Sequence, residues 1–320
     1  MTRACWWLAV GALLAAALSV ASGKVWVPLD AWTAADPRSI IIVELRLPRT
    51  ALALAVGAAL GMSGAAMQGY LRNPLADPGL FGVSSGAALG AVCSLYFGYA
   101  AQAWLLPGFA LAGAAATMAA LALIAGRSGS LILFTLAGMI LTSITGSLTA
   151  LAISLAPTPF VASEIVTWLM GALTDRSWND VAVAVPLIAI GMAVLARTGR
   201  ALDALTLGEA AARSMGVDPR RLQLAVIIGT ALAVGASVAA AGVIGFVGLI
   251  VPHLVRPFAG HRPSATLLPA ALGGALLLTL ADTLVRLAPT VSELRLGIAM
   301  SMLGGPFFLY LLVSMRRRLA

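Results

Sequence analysis

The stretch Thr50–Leu71 has the sequence TALALAVGAALGMSGAAMQGYL and contains no charged residue. A membrane-spanning helix needs about 20 mostly apolar residues, so this run predicts one full crossing of a bilayer. Small residues recur four apart at Gly57, Gly61 and Ala65. Because small residues let helix backbones approach closely where hydrophobicity cannot drive association, this face is predicted to pack against a neighbouring helix.

Further apolar runs lie on either side of this stretch. The 320 residues are 61% hydrophobic and 10% charged, a composition that excludes a soluble domain with a polar exterior. After the loops are subtracted, the chain has room for about ten spans. The sequence therefore predicts an all-α integral membrane protein in which residues 1–320 form a single transmembrane domain. The predicted spans are 5–22, 50–71, 84–101, 107–125, 131–156, 181–197, 222–241, 243–258, 265–287 and 294–314.

The first of these runs fits two interpretations. Arg3, the apolar stretch after it and a small-residue tail ending at Gly23 are typical of a cleavable signal peptide. A retained first span is the preferred interpretation. Cleavage would leave the new amino terminus on the same outer side, so the predicted orientation does not depend on this choice.

Loop charges predict the direction of the spans. With the amino terminus inside, most of the 20 lysine and arginine residues fall in inner loops, so both termini are predicted to be cytoplasmic. The seven tryptophans fall near predicted helix ends, as amphipathic rings at the headgroup level do. The net charge of +8 is dispersed through short loops, and membrane topology explains that dispersal better than a nucleic-acid surface does.

The longest inner loop, residues 198–222, is predicted to fold as a helical hairpin outside the membrane. Thr206 and Glu209 have the spacing of a capping box at the start of a helix. Gly216 suits the left-handed end of that helix, and Asp218, followed by a proline, suits the start of the next. The hairpin is either a plain connector or an element that docks in a groove of a cytoplasmic partner.

Three arginines lie on the predicted outer side, against the general charge trend. Arg46 and Arg49 precede the second span, and Arg286 lies near the outer end of the ninth. One interpretation is that these side chains anchor helix ends by reaching toward the headgroups. The other is a basic rim that binds an acidic partner, because guanidinium forks bind carboxylates through two hydrogen bonds.

Two segments have the composition of a polar path through the membrane. The loop 72–86 contains two prolines and several glycines that forbid a continuous helix. Irregular backbone at membrane depth persists only where protein or water covers it, so a partly re-entrant loop is favoured over a plain turn. The fifth span carries hydroxyls on two adjacent stripes, which either line a pore or serve as small packing residues. The stripes are Thr142, Thr145 and Thr149, and Ser143, Ser147 and Ser154.

Other chemistries lack the residues that they need. Cys5 and Cys93 have no second ligand-type residue at metal spacing, and the lone His253 near a proline is interpreted as structural. No nucleophile with a base and no carboxylate pair converges, which argues against a membrane enzyme. An ion-coupled secondary transporter is the other alternative, and it normally buries ionisable residues at mid-membrane. Asp282 is the nearest to such a residue.

Several motifs, taken together in their order and spacing, resemble the FecCD-type permease family, which includes the importers of ferric siderophores, haem and cobalamin. The resemblance extends from Arg46 to Tyr310, with the first span weakly determined. The motifs are RLPR at 46–49, SGAAMQGYLRNPLADPGLFGVSSGA at 63–87, LGEAAARSMGVDP at 207–219, GFVGLIVPHLVR at 245–256, ADTLVR at 281–286 and LGGPFFLYLL at 303–312.

This resemblance implies the architecture of a type II ABC importer permease in a bacterial plasma membrane. The implied partners are a second permease copy, two cytoplasmic ATPase subunits that use ATP and Mg²⁺, and a periplasmic or extracellular substrate-binding protein. The chain itself is implied to bind no cofactor or metal and to catalyse no reaction. By analogy a ferric siderophore is the favoured substrate, with haem and cobalamin as alternatives. A paralogue in place of the second copy stays open.

The resemblance also implies roles for individual residues. Arg46, Arg49 and Arg286 match arginines that meet acidic residues of the binding protein, and Asn73 and Leu75 match an inner gate. The residues of the fifth span implied to line the path are Thr142, Ser143, Thr145 and Thr149. The residues implied to contact the ATPase are Thr206, Leu207, Gly208, Glu209, Arg213, Gly216, Val217 and Asp218. The loop 126–130 departs from the cobalamin permease, so no gate residue is carried over there.

Overall fold

The computed structural model describes residues 3–32, 36–99, 102, 104–126, 130–290 and 293–319. These residues form helices and no strand, which confirms the all-α class. Residues 127–129, in the loop for which no gate residue was carried over, lie outside the described part. The helices are α1 (Arg3–Ala21), α2 (Leu47–Leu71), α3 (Val83–Tyr96), α4 (Leu105–Ala125), α5 (Leu131–Ser154), α6 (Pro159–Leu169), α7 (Trp178–Arg197), α8 (Gly199–Leu205), α9 (Glu209–Ser214), α10 (Pro219–Ala241), α11 (Val247–Val255), α12 (Pro263–Leu287) and α13 (Leu296–Leu319).

Within the described residues, eight helical segments are long and apolar enough to cross a membrane. The longest joins α2 to a wider π-helical turn at Ile41–Arg46, and together they span 31 residues. The shorter apolar helices α3 and α11 occupy the two remaining predicted runs. Each of the ten predicted apolar runs therefore contains a helix, and eight of these helices are long enough to cross a membrane.

Three local features differ from the predicted spans. The helix α3 has 14 residues and α11 has nine, which is less than a full crossing. The left-handed backbone at Gly242 and Phe246 delays the start of α11. The helix α6 was not predicted, because its eleven residues include Glu164 and are too few to span. It starts at Pro159, where the hydroxyl of Thr158 accepts a hydrogen bond from the third residue of the helix.

The helix α2 lies at the centre of the bundle and is the most buried of the long helices. A Cβ atom on Gly57 would overlap the carbonyl oxygen of Gly274 in α12, and one on Gly61 would overlap that of Ala270. The predicted packing face of α2 is therefore confirmed, and its partner is α12. Only glycine allows these two backbones to lie in contact.

The helices α2 and α12 run antiparallel and define two ends of the bundle. Arg49 of α2 meets Asp282 of α12 at one end. We call this the arginine end and define it by Arg46, Arg49 and Arg286. Gly69 of α2 lies against Pro263 of α12 at the other end. We call this the hairpin end and define it by residues 198–222.

Of the two predicted hairpin helices, the first is present as α9 and the second is the start of the long helix α10, whereas α8 was not predicted. Gly216 closes α9 with a φ of +84°, and Asp218 accepts hydrogen bonds from two amides in the first turn of α10, both as predicted. The predicted capping box is wrong, because Gly208 is the residue that precedes α9. Thr206 follows the last turn of α8, where its hydroxyl donates to the carbonyl oxygen of Asp203 at 2.7 Å. Thr206 has right-handed helical backbone at the end of α8, whereas an N-cap residue needs an extended backbone.

Candidate docking, coupling and pathway sites

An ion network occupies the arginine end. Arg49 Nε and Nη2 donate to the carboxylate of Asp282 over 2.9–3.1 Å, and Arg49 Nη1 donates to Glu293 Oε2 at 2.9 Å. The side chain of Asp282 is 1% exposed and that of Arg49 is 10% exposed. A buried charge needs such partners, since an isolated one would cost several kcal/mol, roughly.

The other two arginines fasten the end of α1 to α2 and α12. Arg46 donates to the carbonyl oxygens of Val20 and Ala21, both at 2.9 Å, and so satisfies the last turn of α1. Arg286 Nη2 donates to the carbonyl oxygen of Ser19 at 2.9 Å and to its hydroxyl at 2.8 Å. These partners could not be predicted from the sequence, because every residue carries a backbone carbonyl.

The structure thus brings the three predicted docking arginines together, but not as free surface charges. Arg46, Arg49 and Arg286 are 4%, 8% and 5% exposed. All three line a cleft of about 220 Å³, which the basic Lys24 and Arg176 and the acidic Asp175 and Glu293 also line. Burial lowers the pKa of Arg176, which lies in the loop before α7. A cleft with this lining carries an excess of positive charge and suits a carboxylate from outside the chain.

The predicted re-entrant loop is held inside the bundle by its second half. Asp77 accepts a hydrogen bond from the amide of Gly79 at 2.8 Å and starts a short 3₁₀ turn, Pro78–Phe81. The Phe81 ring is buried against Phe134 of α5, with ring centroids 5.4 Å apart. Irregular backbone is therefore covered by protein, as membrane depth requires.

The two predicted gate residues lie in the first half of the same loop. Asn73 is exposed, and its side-chain oxygen accepts a hydrogen bond from the amide of Leu75 at 2.9 Å. Leu75 packs against a cluster that contains Ile250 of α11 and Phe307 of α13. The pair therefore links the end of α2 to helices that come much later in the chain. A displacement of α11 or α13 would reach this loop directly.

The two hydroxyl stripes of α5 face in different directions. Thr142 Oγ1 lies 3.2 Å from the carbonyl oxygen of Leu80, and Thr145 Oγ1 lies 2.7 Å from Ser85 Oγ. The threonine stripe therefore faces the loop 72–82 and α3. Ser143 and Ser147 are exposed on the other side. Sequence spacing placed both stripes correctly on α5 but could not tell which one faces the rest of the chain.

Thr149 and Ser85 also line a cavity of about 290 Å³ between α5 and the loop 72–82. Gly245 and Gly248, at the start of α11, lie on its opposite wall. The cavity thus touches the two short membrane helices, α3 and α11, and the interrupted loop. Of the four α5 residues predicted to line the path, Thr149 belongs to this cavity and Ser143 faces outward.

The hairpin end presents a rigid surface. Asp203 of α8 accepts hydrogen bonds from the amide and the hydroxyl of Ser264, which fix α8 to the start of α12. Leu207 and Met215 are 67% and 63% exposed. Met215 was not among the predicted coupling residues. Of those that were, Thr206, Arg213, Gly216 and Asp218 are also exposed, whereas Gly208, Glu209 and Val217 are partly exposed.

Residue types that bind metal ions in proteins are dispersed in the described part of the chain. No group of three histidine, cysteine or acidic residues there could hold a metal ion. His253 lies edge-on to the Phe307 ring, with centroids 5.8 Å apart. This contact agrees with the structural interpretation of that histidine.

Comparison with known proteins places the chain among membrane transporters. The model of the FecCD transport family matches residues 11–314. The vitamin B12 import system permease protein BtuC of Citrobacter koseri is 36% identical over 97% of this chain and 94% of its own length. The ABC transporter permease protein YvrB of Bacillus subtilis is 39% identical over 87% and 80%. A solved metal-chelate type ABC transporter in an inward-facing conformation has a TM-score of 0.88 and 30% identity, covering 97% of this chain and 98% of its own.

Proposed function

Because the chain belongs to the FecCD transport family and is the permease subunit of an ABC importer, we propose that it carries a large metal chelate, with cobalamin as the first candidate. The observation that carries this substrate is the near full-length similarity to a vitamin B12 permease. A ferric siderophore, which analogy with the family favoured, is the second candidate, and the similarity to a metal-chelate type transporter supports it.

The translocation path is proposed to form between two copies of this chain. Ser143 and Ser147 face outward from α5, and Gly146 between them is exposed and also lines the cavity with Thr149. Outward hydroxyls and a glycine suit a second helix or a water-filled path better than they suit lipid tails. The cavity between α5 and the loop 72–82 would then adjoin this path from within each copy.

Two ATPase subunits are proposed to bind the hairpin end on the cytoplasmic side. The positive-inside bias of the loops supports this orientation. Exposed Leu207 and Met215 offer apolar contacts, and the bond between Asp203 and Ser264 makes α8 move with α12. ATP binding would close the ATPases, displace both hairpins and open the path to one side at a time. The permease contributes no catalytic group to that cycle.

Reconstituted uptake tests the function. Proteoliposomes would contain the permease and its ATPase, with binding protein and radiolabelled cobalamin outside and ATP inside. We expect accumulation that needs ATP and stops when the ATPase carries a hydrolysis-deficient substitution. A parallel assay with a labelled ferric siderophore separates the two substrate candidates. Accumulation driven by a proton or sodium gradient without ATP would contradict the ABC mechanism.

The arginine end is proposed to dock an acidic surface of the substrate-binding protein. Reversing the charge of Arg49 would also break its pair with Asp282, so a sharper test leaves the arginines in place. Glu293 holds Arg49 Nη1 and is 23% exposed in its side chain. Glu293→Gln removes a carboxylate that competes for Arg49, and we expect the binding protein to bind several-fold more tightly at low salt.

The matched control for this docking test is Glu44→Gln. Glu44 is exposed near the same end and makes no ion pair within the part of the chain that the structure describes. The Glu44→Gln variant removes the same charge without freeing Arg49, so a smaller change in affinity for the binding protein is expected. Equal affinities for both variants, or weaker binding by Glu293→Gln, would count against docking through Arg49.

A further inference from the structure

A cavity of about 300 Å³ at the hairpin end has a basic lining. Arg72 follows α2, Arg256 follows α11 and His261 precedes α12, so three separate elements bring these side chains together. No carboxylate lies among the described residues that line it. Basic groups that converge on one cavity without a counter-charge favour an anion from outside the chain.

Two of these basic residues occupy backbone positions that favour glycine. Arg72 has a φ of +52° and His261 a φ of +60°. A non-glycine residue in the left-handed region is strained, and strain of this kind clusters at ligand clamps and switch regions. The sequence thus keeps a basic side chain at two places where glycine would relax the backbone. A requirement for the basic side chains of Arg72 and His261 explains why neither position is occupied by glycine.

No carboxylate of the described residues pairs with the two arginines of this cavity. Arg256 donates to the side-chain oxygen of Gln68, which is uncharged. The nearby Asp203 already accepts hydrogen bonds from Ser264. Among the described residues, neither Arg72 nor Arg256 makes an ion pair. Two guanidinium groups and an imidazole are therefore left to bind a ligand.

We propose that this cavity binds the phosphate group of an anionic ligand. Guanidinium forks match phosphate oxygens, and three basic groups from three directions suit a group with several charged oxygens better than a single carboxylate. The phosphate belongs either to the headgroup of an anionic phospholipid or to free inorganic phosphate. The site goes beyond the proposed transport function and does not depend on the identity of the chelate.

The test measures anion binding by the full-length permease in neutral detergent after lipid removal. Thermal unfolding is followed with inorganic phosphate against chloride at equal ionic strength, and separately with phosphatidylglycerol against phosphatidylcholine. A ligand that binds only the folded state raises the unfolding temperature. Stabilisation by phosphate identifies a soluble ligand, and stabilisation by phosphatidylglycerol alone identifies a lipid headgroup; either result supports the site.

The decisive variant is Arg72→Gly combined with His261→Gly. Glycine relaxes both strained positions, so we expect the unliganded protein to be at least as stable as wild type. Anion affinity should fall more than about tenfold, since two charge-assisted contacts are lost. If the glycines loosen the loops, Arg72→Gln with His261→Gln removes the basic groups and keeps side chains in place.

The matched control is Arg262→Gln. Arg262 is exposed beside His261 and does not line the cavity, so this variant should respond to the anion as wild type does. The site is overturned if neither anion stabilises wild type beyond its control. It is also overturned if either double variant keeps the full response, because nonspecific surface charge would then explain the binding.

Discussion

Replacing Asp282 by alanine is expected to unfold the arginine end while leaving the rest of the bundle free to fold. Asp282 accepts three hydrogen bonds from Arg49 and is almost fully buried. Removing it leaves a buried guanidinium with Glu293 as its remaining acidic partner. Breaking a buried pair on one side costs about 3–5 kcal/mol, and the low-polarity surroundings of a membrane helix place the expected loss in that range. Equilibrium unfolding in mixed micelles, followed by tryptophan fluorescence, measures it.

Two comparisons test whether burial of the ion pair causes the expected loss of stability in Asp282→Ala. Asp36→Asn removes a carboxylate from the exposed pair with Arg38, and no measurable loss is expected because solvent screens that pair. Arg49→Met combined with Asp282→Leu removes both charges and should be more stable than Asp282→Ala alone. A loss below about 1 kcal/mol for Asp282→Ala would refute the argument, as would a double variant that is less stable than the single one.

Three further predictions concern packing, assembly and coupling. Gly61→Ala is expected to cost about 1–3 kcal/mol in the same unfolding assay, because the added Cβ overlaps the carbonyl oxygen of Ala270, whereas Gly108→Ala should be neutral, since a Cβ atom there would meet nothing within 4 Å. Ser143→Leu with Gly146→Leu should lower the dimer fraction in light scattering without loss of helicity; unchanged assembly would exclude this face of α5 from the interface. Leu207→Asp should weaken ATPase binding in a pull-down while the unfolding curve stays unchanged, since Leu207 is exposed; undiminished binding would remove it from the coupling surface.

The sequence predicted the features that depend on local residue types and their spacing. The glycines at Gly57 and Gly61 predicted a close helix contact, and the structure supplies α12 as the partner. Gly216 and Asp218 predicted the ends of two helices, because a left-handed turn and a side-chain cap are set by one or two residues. Thr206 was predicted wrongly as a cap, since its backbone continues the right-handed turn of α8 and so does not have the extended conformation of an N-cap.

Features set by distant parts of the chain could not be predicted. Asp282 lies 233 residues after Arg49, and no pattern along the sequence joins them. The carbonyls that hold Arg46 belong to the end of α1, a helix on which the motifs gave little information. The direction of the two α5 stripes depends on which neighbour packs there, and Ser85 of α3 decides it. Orientation of a helix face is thus a property of the assembled bundle.

Because the three arginines are buried, the proposed docking of a binding protein cannot begin with direct contacts to free guanidinium groups. The positive charge that would attract an acidic partner is still present. Three guanidinium groups at the arginine end, Arg46, Arg49 and Arg286, face two carboxylates, Asp282 and Glu293, so the cluster keeps a positive excess. A buried charge still projects its field into an adjoining cleft, and low-polarity walls focus that field. An acidic binding protein would therefore be steered by the potential of the cleft before any arginine changes partner. Its association rate should fall with added salt more steeply than its dissociation rate rises, because steering is screened over a Debye length and a formed contact is not.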